Sequence, residues 1–279
     1  MDIVAKQYVR DAEQLLNNPT YLEYFSYFKT VKQKHVAQLY EKAGNLFELN
    51  ELFEDAGNNY MLAATYFIEL NLQMMSAINH KRAGNCFQKV KNYTKSTVAY
   101  LMAMEQQPFD TDFVVKCSSS IAENHFALGN VAECIKWFES CIIANVKNGR
   151  DDLNFDFYDK LGIIYCTCLK KYAIGITVYD KLVELLRKRG DVSLPIYCFI
   201  AVLLRILAND DDMEFARKYM ESLDKSFLES GYADFLKNVF FFAGKDAAML
   251  ERFYKYYGER VPGLDNVNVQ ELVRAVIAL

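Results

Sequence analysis

The chain has 279 residues, 52% hydrophobic and 14% aromatic, enough to bury a continuous core, and only 12 Gly and 4 Pro to interrupt helices. Its net charge is −4 with both signs interspersed, which excludes a nucleic-acid binder acting through overall charge and leaves room only for a local basic patch. The longest apolar run, Ile196–Leu204, is nine residues ended by Arg205, well short of the ~20 that a membrane-spanning helix needs. Met1-Asp2-Ile3 lacks the basic start and apolar core of a secretory leader, so a cytoplasmic location is expected. The seven cysteines show no zinc-type pairing and read as reduced core thiols.

In chain order, Val4, Tyr8, Ala12 and Leu15 predict an amphipathic helix over 3–16, ending at Asn17-Asn18-Pro19. The segment YLEYFSYF at 21–28 follows, and Lys29, Lys32 and Lys34 come directly after it. Two readings are open: Tyr21, Phe25 and Phe28 form one face of a short packed helix, or the segment is a loop that touches a membrane. The second rests on the narrow polar stripe, Glu23 and Ser26, and on the suitability of tyrosine and phenylalanine for the headgroup boundary. It assigns membrane contact to Tyr24, Phe25, Tyr27, Phe28, Lys29 and Lys32.

From Ala43 to Ala103 one helical-hairpin pattern is stated twice. Gly44 is followed at offsets of three, nine, twelve, sixteen and nineteen by Phe47, Phe53, Ala56, Tyr60 and Ala63; Gly84 is followed likewise by Phe87, Tyr93, Ser96, Tyr100 and Ala103. This is tetratricopeptide-type spacing, in which a small residue on the first helix admits the second and aromatics fill the groove between them. A third copy runs from Ala122 through His125, Val131, Cys134, Phe138 and Cys141; a fourth starts at Gly162 with Tyr165, and its Tyr172, Gly175, Tyr179 and Leu182 fall one residue late. The anchors are 40, 38 and 40 apart, against a standard period of ~34, so helices or connections are longer. Beyond Gly190 the offsets fail, and helical patterning continues over about 193–209, 211–229, 232–244 and 246–258 to Pro262-Gly263 and a last short helix. The expected fold is all-α: a right-handed twisted sheet of antiparallel hairpins over 1–190, strands absent, and a C-terminal helical bundle over 191–279.

Residues for chemistry are scarce. His35, His80 and His125 lie 45 apart on separate hairpins without metal-ligand neighbours, and His125 occupies a groove-filling offset, so it reads as core. No phosphate-binding glycine loop, dinucleotide fingerprint or nucleophile elbow occurs. Asp151-Asp152 and Asp210-Asp211-Asp212 sit at expected turns, where they cap and solvate. The reading is a non-enzymatic binding surface with no cofactor, no metal and no nucleic-acid partner.

At this point the sequence resembles the soluble NSF attachment proteins, or SNAPs, adaptors that recruit the ATPase NSF to SNARE complexes. The resemblance rests on A-G-N-N-Y-M-L-A-A at 56–64, R-A-G-N-C-F-Q-K at 82–89, S-I-A-E at 120–123, and the period near 40. It implies that Lys116 and Lys160, with Lys237 as a third match, face the acidic four-helix SNARE bundle, and that an aromatic loop meets the membrane peripherally. A lysine expected by the family within 193–209 is replaced by Tyr197-Cys198-Phe199-Ile200. It further implies contact with a hexameric NSF-type ATPase through Asp246, Glu251, Glu259 and Leu279, with Asp265 and Glu271 nearby; SNAPs carry an acidic tail with a near-terminal leucine past the last helix, and against the ending V-R-A-V-I-A-L three readings are open: Leu279 takes that role directly, the tail is absent, or the sequence stops short of it. Two other readings remain: a tetratricopeptide scaffold for an unrelated peptide, and a helical enzyme or regulatory subunit with a buried cavity.

Overall fold

Small residues at fixed positions set how closely successive helices approach, and the pattern can be followed helix by helix. The computed structural model describes residues 2–18, 26–208, 213–242 and 245–279; among them are fifteen α-helices and no strand. The chain divides into two compact units, Met1–Gly149 and Arg150–Leu279.

The first unit holds α1 (Asp2–Asn17), α2 (Ser26–Leu49), α3 (Phe53–Glu69), α4 (Gln73–Lys89), α5 (Tyr93–Gln106), α6 (Thr111–Ala127) and α7 (Val131–Lys147), each packed on the one before. The stripe that α1 buries is Ala5, Tyr8, Val9 and Ala12, not the expected Val4 and Leu15, which are exposed. Positions 5, 8, 9 and 12 keep true helical spacing, and the two alanines let α2 come close. A Cβ on Gly44 would lie 2.8 Å from the Tyr60 ring, and one on Gly84 2.9 Å from Tyr100, so both glycines face their predicted partners across the hairpin. Between hairpins, Gly57 does the same against Phe87 at 2.7 Å. Each tyrosine hydroxyl donates back to the first helix, Tyr60 to Asn45 Oδ1 at 2.8 Å and Tyr100 to Asn85 Oδ1 at 2.6 Å.

The turns repeat as regularly as the helices. Glu51, Lys91 and Gly129, seven residues after their anchors, all have positive φ, of 60°, 59° and 76°. Asn92 and Asp110 then cap the next helices by accepting from Lys95 N–H and Phe113 N–H.

The second unit opens with a 3₁₀ turn at Asp151–Asn154 and α8 (Phe155–Ile163), which passes into a π-turn, Ile164–Cys168, before α9 (Tyr172–Arg189). Leu169 N–H donates to Ile164 O across five residues, so the turn absorbs one extra residue. That explains the late fourth repeat: the positive-φ residue is Lys170, eight after Gly162, yet a Cβ on Gly162 still lies 2.6 Å from Tyr179. Beyond it come α10 (Leu194–Ala208), α11 (Met213–Glu221), α12 (Lys225–Leu228), α13 (Gly231–Phe242), α14 (Ala247–Gly258) and α15 (Val267–Ile277). The expected single helix over 211–229 is two, parted at Ser222–Asp224, where Leu223 turns inward and is buried. Asp210-Asp211-Asp212 lie outside the described residues. The helix α10 is apolar all round, and α9, α11, α13 and α15 pack on it. Its one charge, Arg205, is 5% exposed and bonds both oxygens of Asp180, at 2.9 and 2.7 Å, with Tyr219 stacked 3.4 Å away. Six of the seven cysteines are buried; Cys168, on the π-turn, is exposed and departs from the core reading.

Candidate functional site

In the first unit, most cations of the middle helices are engaged by their neighbours. Arg82 reaches Asn45 at 2.9 Å and Glu41 at 3.9 Å, Lys89 reaches Glu48 at 3.4 Å, and Lys95 reaches Glu54 at 3.1 Å. Such exposed pairs tie one hairpin to the next and are each worth ~0–1 kcal/mol. Lys116 stands differently: it is exposed in the middle of α6, a first helix of a repeat, one turn after Phe113. Lys81 of α4 lies over the Phe113 ring at 5.3 Å, so this face carries a second ammonium that sequence reasoning missed. Lys81 stands three residues before Gly84, a position that no motif in the sequence marks.

In the second unit, Lys160 sits half-buried in α8, also a first helix. Lys237 is exposed on α13 and pairs with Asp234 at 2.9 Å. It lines a groove of about 600 Å³ together with Arg217, Lys245, Met220 and Phe241, the last 64% exposed with Lys245 Nζ 5.2 Å from its ring. Within 193–209, where the sequence resemblance led to the expectation of a lysine, Cys198, Phe199 and Ile200 are buried in α10, a place that disfavours an unpaired ammonium. At the C-terminal end, Asp246 caps α14 by accepting from Met249 N–H at 2.9 Å. Glu251, Asp265 and Glu271 are exposed, Glu259 pairs with Arg260 at 3.8 Å, and Leu279 is 45% exposed.

Of the aromatic segment, Tyr21, Tyr24 and Phe25 lie outside the described residues. Tyr27 and Phe28 are 71% and 42% exposed and stand edge to face, 5.5 Å apart, in the first turn of α2 rather than in a loop. Lys29 is exposed beside them, and Lys32 reaches Asn18 O at 3.4 Å.

Among the histidines and cysteines, His80, Cys86 and Cys117 are spent on packing. His80 is buried, with Nδ1 3.2 Å from Ser76 Oγ, and burial lowers its pKa to about 4, so it is neutral at pH 7. His125 is half-buried, and its Nδ1 has no hydrogen-bond partner among the described residues. Burial pushes the Cys86 and Cys117 thiols up to about 12 and about 11, which makes them poor nucleophiles. No group of three His, Cys, Asp or Glu that could hold a metal occurs among the described residues, and no described helix is long and apolar enough to cross a membrane.

Comparison with known proteins bears on what these surfaces serve. The family model for soluble NSF attachment proteins matches residues 4–241. Among solved structures, the apo form of RapI is similar at 15% identity and a TM-score of 0.51, covering 80% of this chain and 84% of that one. BtubC from P. vanneervenii is 12% identical with a TM-score of 0.49, covering 80% and 92%, and aspartyl phosphate phosphatase F from Bacillus subtilis is 15% identical with 0.47, covering 98% and 69%. The RapI likeness speaks to the fold alone and agrees with a tetratricopeptide-like helical repeat. No curated protein matches the chain in sequence.

Proposed function

Because the chain belongs to the soluble NSF attachment protein family, we propose that it is a non-catalytic helical adaptor that grips SNARE bundles and recruits an NSF-type hexameric ATPase to take them apart. The observation that carries this reading is the family match over 4–241, which spans all the repeated hairpins and much of the second unit. The hairpins give the adaptor stiffness, since each Gly-to-Tyr contact leaves no space for sliding. A stiff grip turns the motor's motion into unwinding of the bundle.

The proposed grip is electrostatic. Lys116 and Lys160 each belong to a first helix, and an acidic coiled bundle attracts them over a Debye length of ~8 Å at physiological salt. Lys81 and Lys237 extend the basic surface within their own units. Replacing Lys116 and Lys160 together by Glu is expected to lower bundle binding ~10-fold or more in variants whose circular dichroism shows them folded, and binding by the native chain falls as salt rises. Normal binding by the double variant would remove these two residues from the grip. The acidic and terminal residues Asp246, Glu251, Glu259 and Leu279 are proposed to meet the basic domains of the ATPase.

A peripheral membrane contact through Tyr24, Phe25, Tyr27, Phe28, Lys29 and Lys32 is proposed on the exposure of Tyr27 and Phe28 beside a cluster of lysines. The replacement of Tyr27 and Phe28 by Ser is expected to reduce binding to anionic liposomes and disassembly of membrane-embedded bundles, and to spare disassembly of soluble ones. Equal liposome binding by variant and native chain would sink the contact.

A further inference from the structure

From α2 to α7 the connections are three or four residues long, so packed neighbours run antiparallel and their ends fall on two rims of the first unit. One rim gathers the start of α2, the α3–α4 connection and the α5–α6 connection. Gln33 Nε2 donates to Glu69 Oε2 at 2.7 Å, which ties the start of α2 to the end of α3, and Lys81 over the Phe113 ring sets the first half of α4 beside the start of α6.

Apolar side chains stand out into solvent along this rim. Tyr27 and Phe28 have companions on the next two connections: Met74 is 67% exposed, with Leu72 and Met75 exposed beside it, and Phe109 is 96% exposed. Phe109 lies between Pro108 and Asp110, outside both α5 and α6, so neither helix needs a ring there for its own packing. Exposed rings and thioethers in series are unfavourable in water and mark a contact surface.

Their placement selects what covers them. Tyr27, Met74 and Phe109 sit on tips, each a hairpin further along, and helices packed ~8–10 Å apart separate them. A folded partner would need a hollow in register with every tip, whereas a bilayer is fluid and closes round each one separately. Aromatic rings suit the headgroup boundary, and the flexible methionine side chain adapts to it. At the α2 end, Lys29, Lys32 and Lys34 attract anionic headgroups. At the α6 end the charges are Asp110, which caps α6 by accepting from Phe113 N–H, and Asp112, so Phe109 enters by burying apolar area alone.

We propose that this whole rim of the first unit, and not the α2 end alone, rests on a lipid bilayer, with Met74 and Phe109 as two further points of insertion. The inference rests on the membrane contact proposed for Tyr27 and Phe28 and extends it. It stands α2, α4 and α6 on end with their N-termini toward the lipid. Lys81 and Lys116, roughly 8–12 Å further up their helices at ~1.5 Å per residue, then stay on the water side for an acidic partner. The opposite rim supplies a control in Leu49, 75% exposed at the end of α2, with Glu51 and Glu54 exposed close by in sequence.

The test is flotation of the full chain with phosphatidylcholine vesicles containing phosphatidylserine, at low and at high salt. Phe109→Ser combined with Met74→Ser is expected to lower vesicle binding ~10-fold, by the same factor at both salt concentrations because apolar burial is not screened, while binding by the native chain falls as salt rises. Leu49→Ser is expected to bind as the native chain does. Emission from Phe109→Trp is expected to be quenched by lipids with brominated acyl chains and that from Leu49→Trp is not, each read above the signal of Trp137, which packs against the α5–α6 core. Loss of binding in Tyr27→Ser with Phe28→Ser but none in Phe109→Ser with Met74→Ser overturns this inference and leaves the α2 contact standing; no binding by the native chain removes both. An equal loss in Leu49→Ser also overturns it, since exposure rather than the rim would then set the binding.

Discussion

A single missing methyl group decides how the hairpins close. Gly84 sits inside α4, where alanine would ordinarily gain ~1 kcal/mol of helix propensity, but its Cβ would come within 2.9 Å of a Tyr100 ring that is 1% exposed and held by Asn85. Overpacking at such a site costs ~1–3 kcal/mol, so the clash outweighs the propensity. Gly84→Ala is therefore expected to lower stability by ~1 kcal/mol in urea unfolding, whereas Gly258→Ala, with no atom within 4 Å, is expected to be neutral or stabilising. A stabilised Gly84→Ala would mean that the close approach does not govern the hairpin. The glycine-to-aromatic spacing was legible in the sequence because it recurs. The hydroxyl partners Asn45 and Asn85 were not, since a polar residue next to a glycine in a helix reads as surface until the facing tyrosine is in place.

At the scale of elements, the turns show how one backbone geometry is met by different residues. Glu51, Lys91 and Lys170 occupy the left-handed region at φ of 60°, 59° and 52°, where the third repeat uses Gly129. A side chain there costs ~1 kcal/mol or more, partly offset by the greater freedom glycine loses on folding. Lys91→Gly is thus expected to stabilise the chain by ~0.5 kcal/mol and Gly129→Ala to destabilise it by ~1 kcal/mol, both read from urea midpoints; the same sign for both would contradict the shared turn geometry. The turn positions were illegible because Glu and Lys give no signal of positive φ, and the repeat's register imposes it. The one-residue delay after Gly162 was visible as an offset, but its cause, a π-turn rather than a longer loop, depends on backbone bonds that periodicity does not report. That α2 includes Tyr27 and Phe28 was one of two open readings: a helix with Tyr21, Phe25 and Phe28 on one face fitted the spacing, but aromatics on nearly every side of the segment did not decide between it and a loop, and the Phe28 of the structure is exposed rather than packed.

At the scale of the whole molecule, the hydrophobic pattern carried the all-helical class and the existence of repeats, because both follow from burial. Partner choice depends instead on exposed charge, where spacing says little: Lys116, Lys160 and Lys237 were singled out through a family resemblance, and Lys81 emerged only from its place over Phe113. The net charge of −4 makes overall attraction to an acidic partner unfavourable, so any grip depends on local clusters and weakens with salt. The central claim is that one chain bridges a SNARE bundle and an NSF-type ATPase. Co-sedimentation of a preformed bundle with this chain and the ATPase, each alone and together, tests it most directly. The account predicts that the chain sediments with the bundle, and that the ATPase joins only when both are present; a folded chain left in the supernatant, or equal ATPase recovery with and without it, would contradict the account.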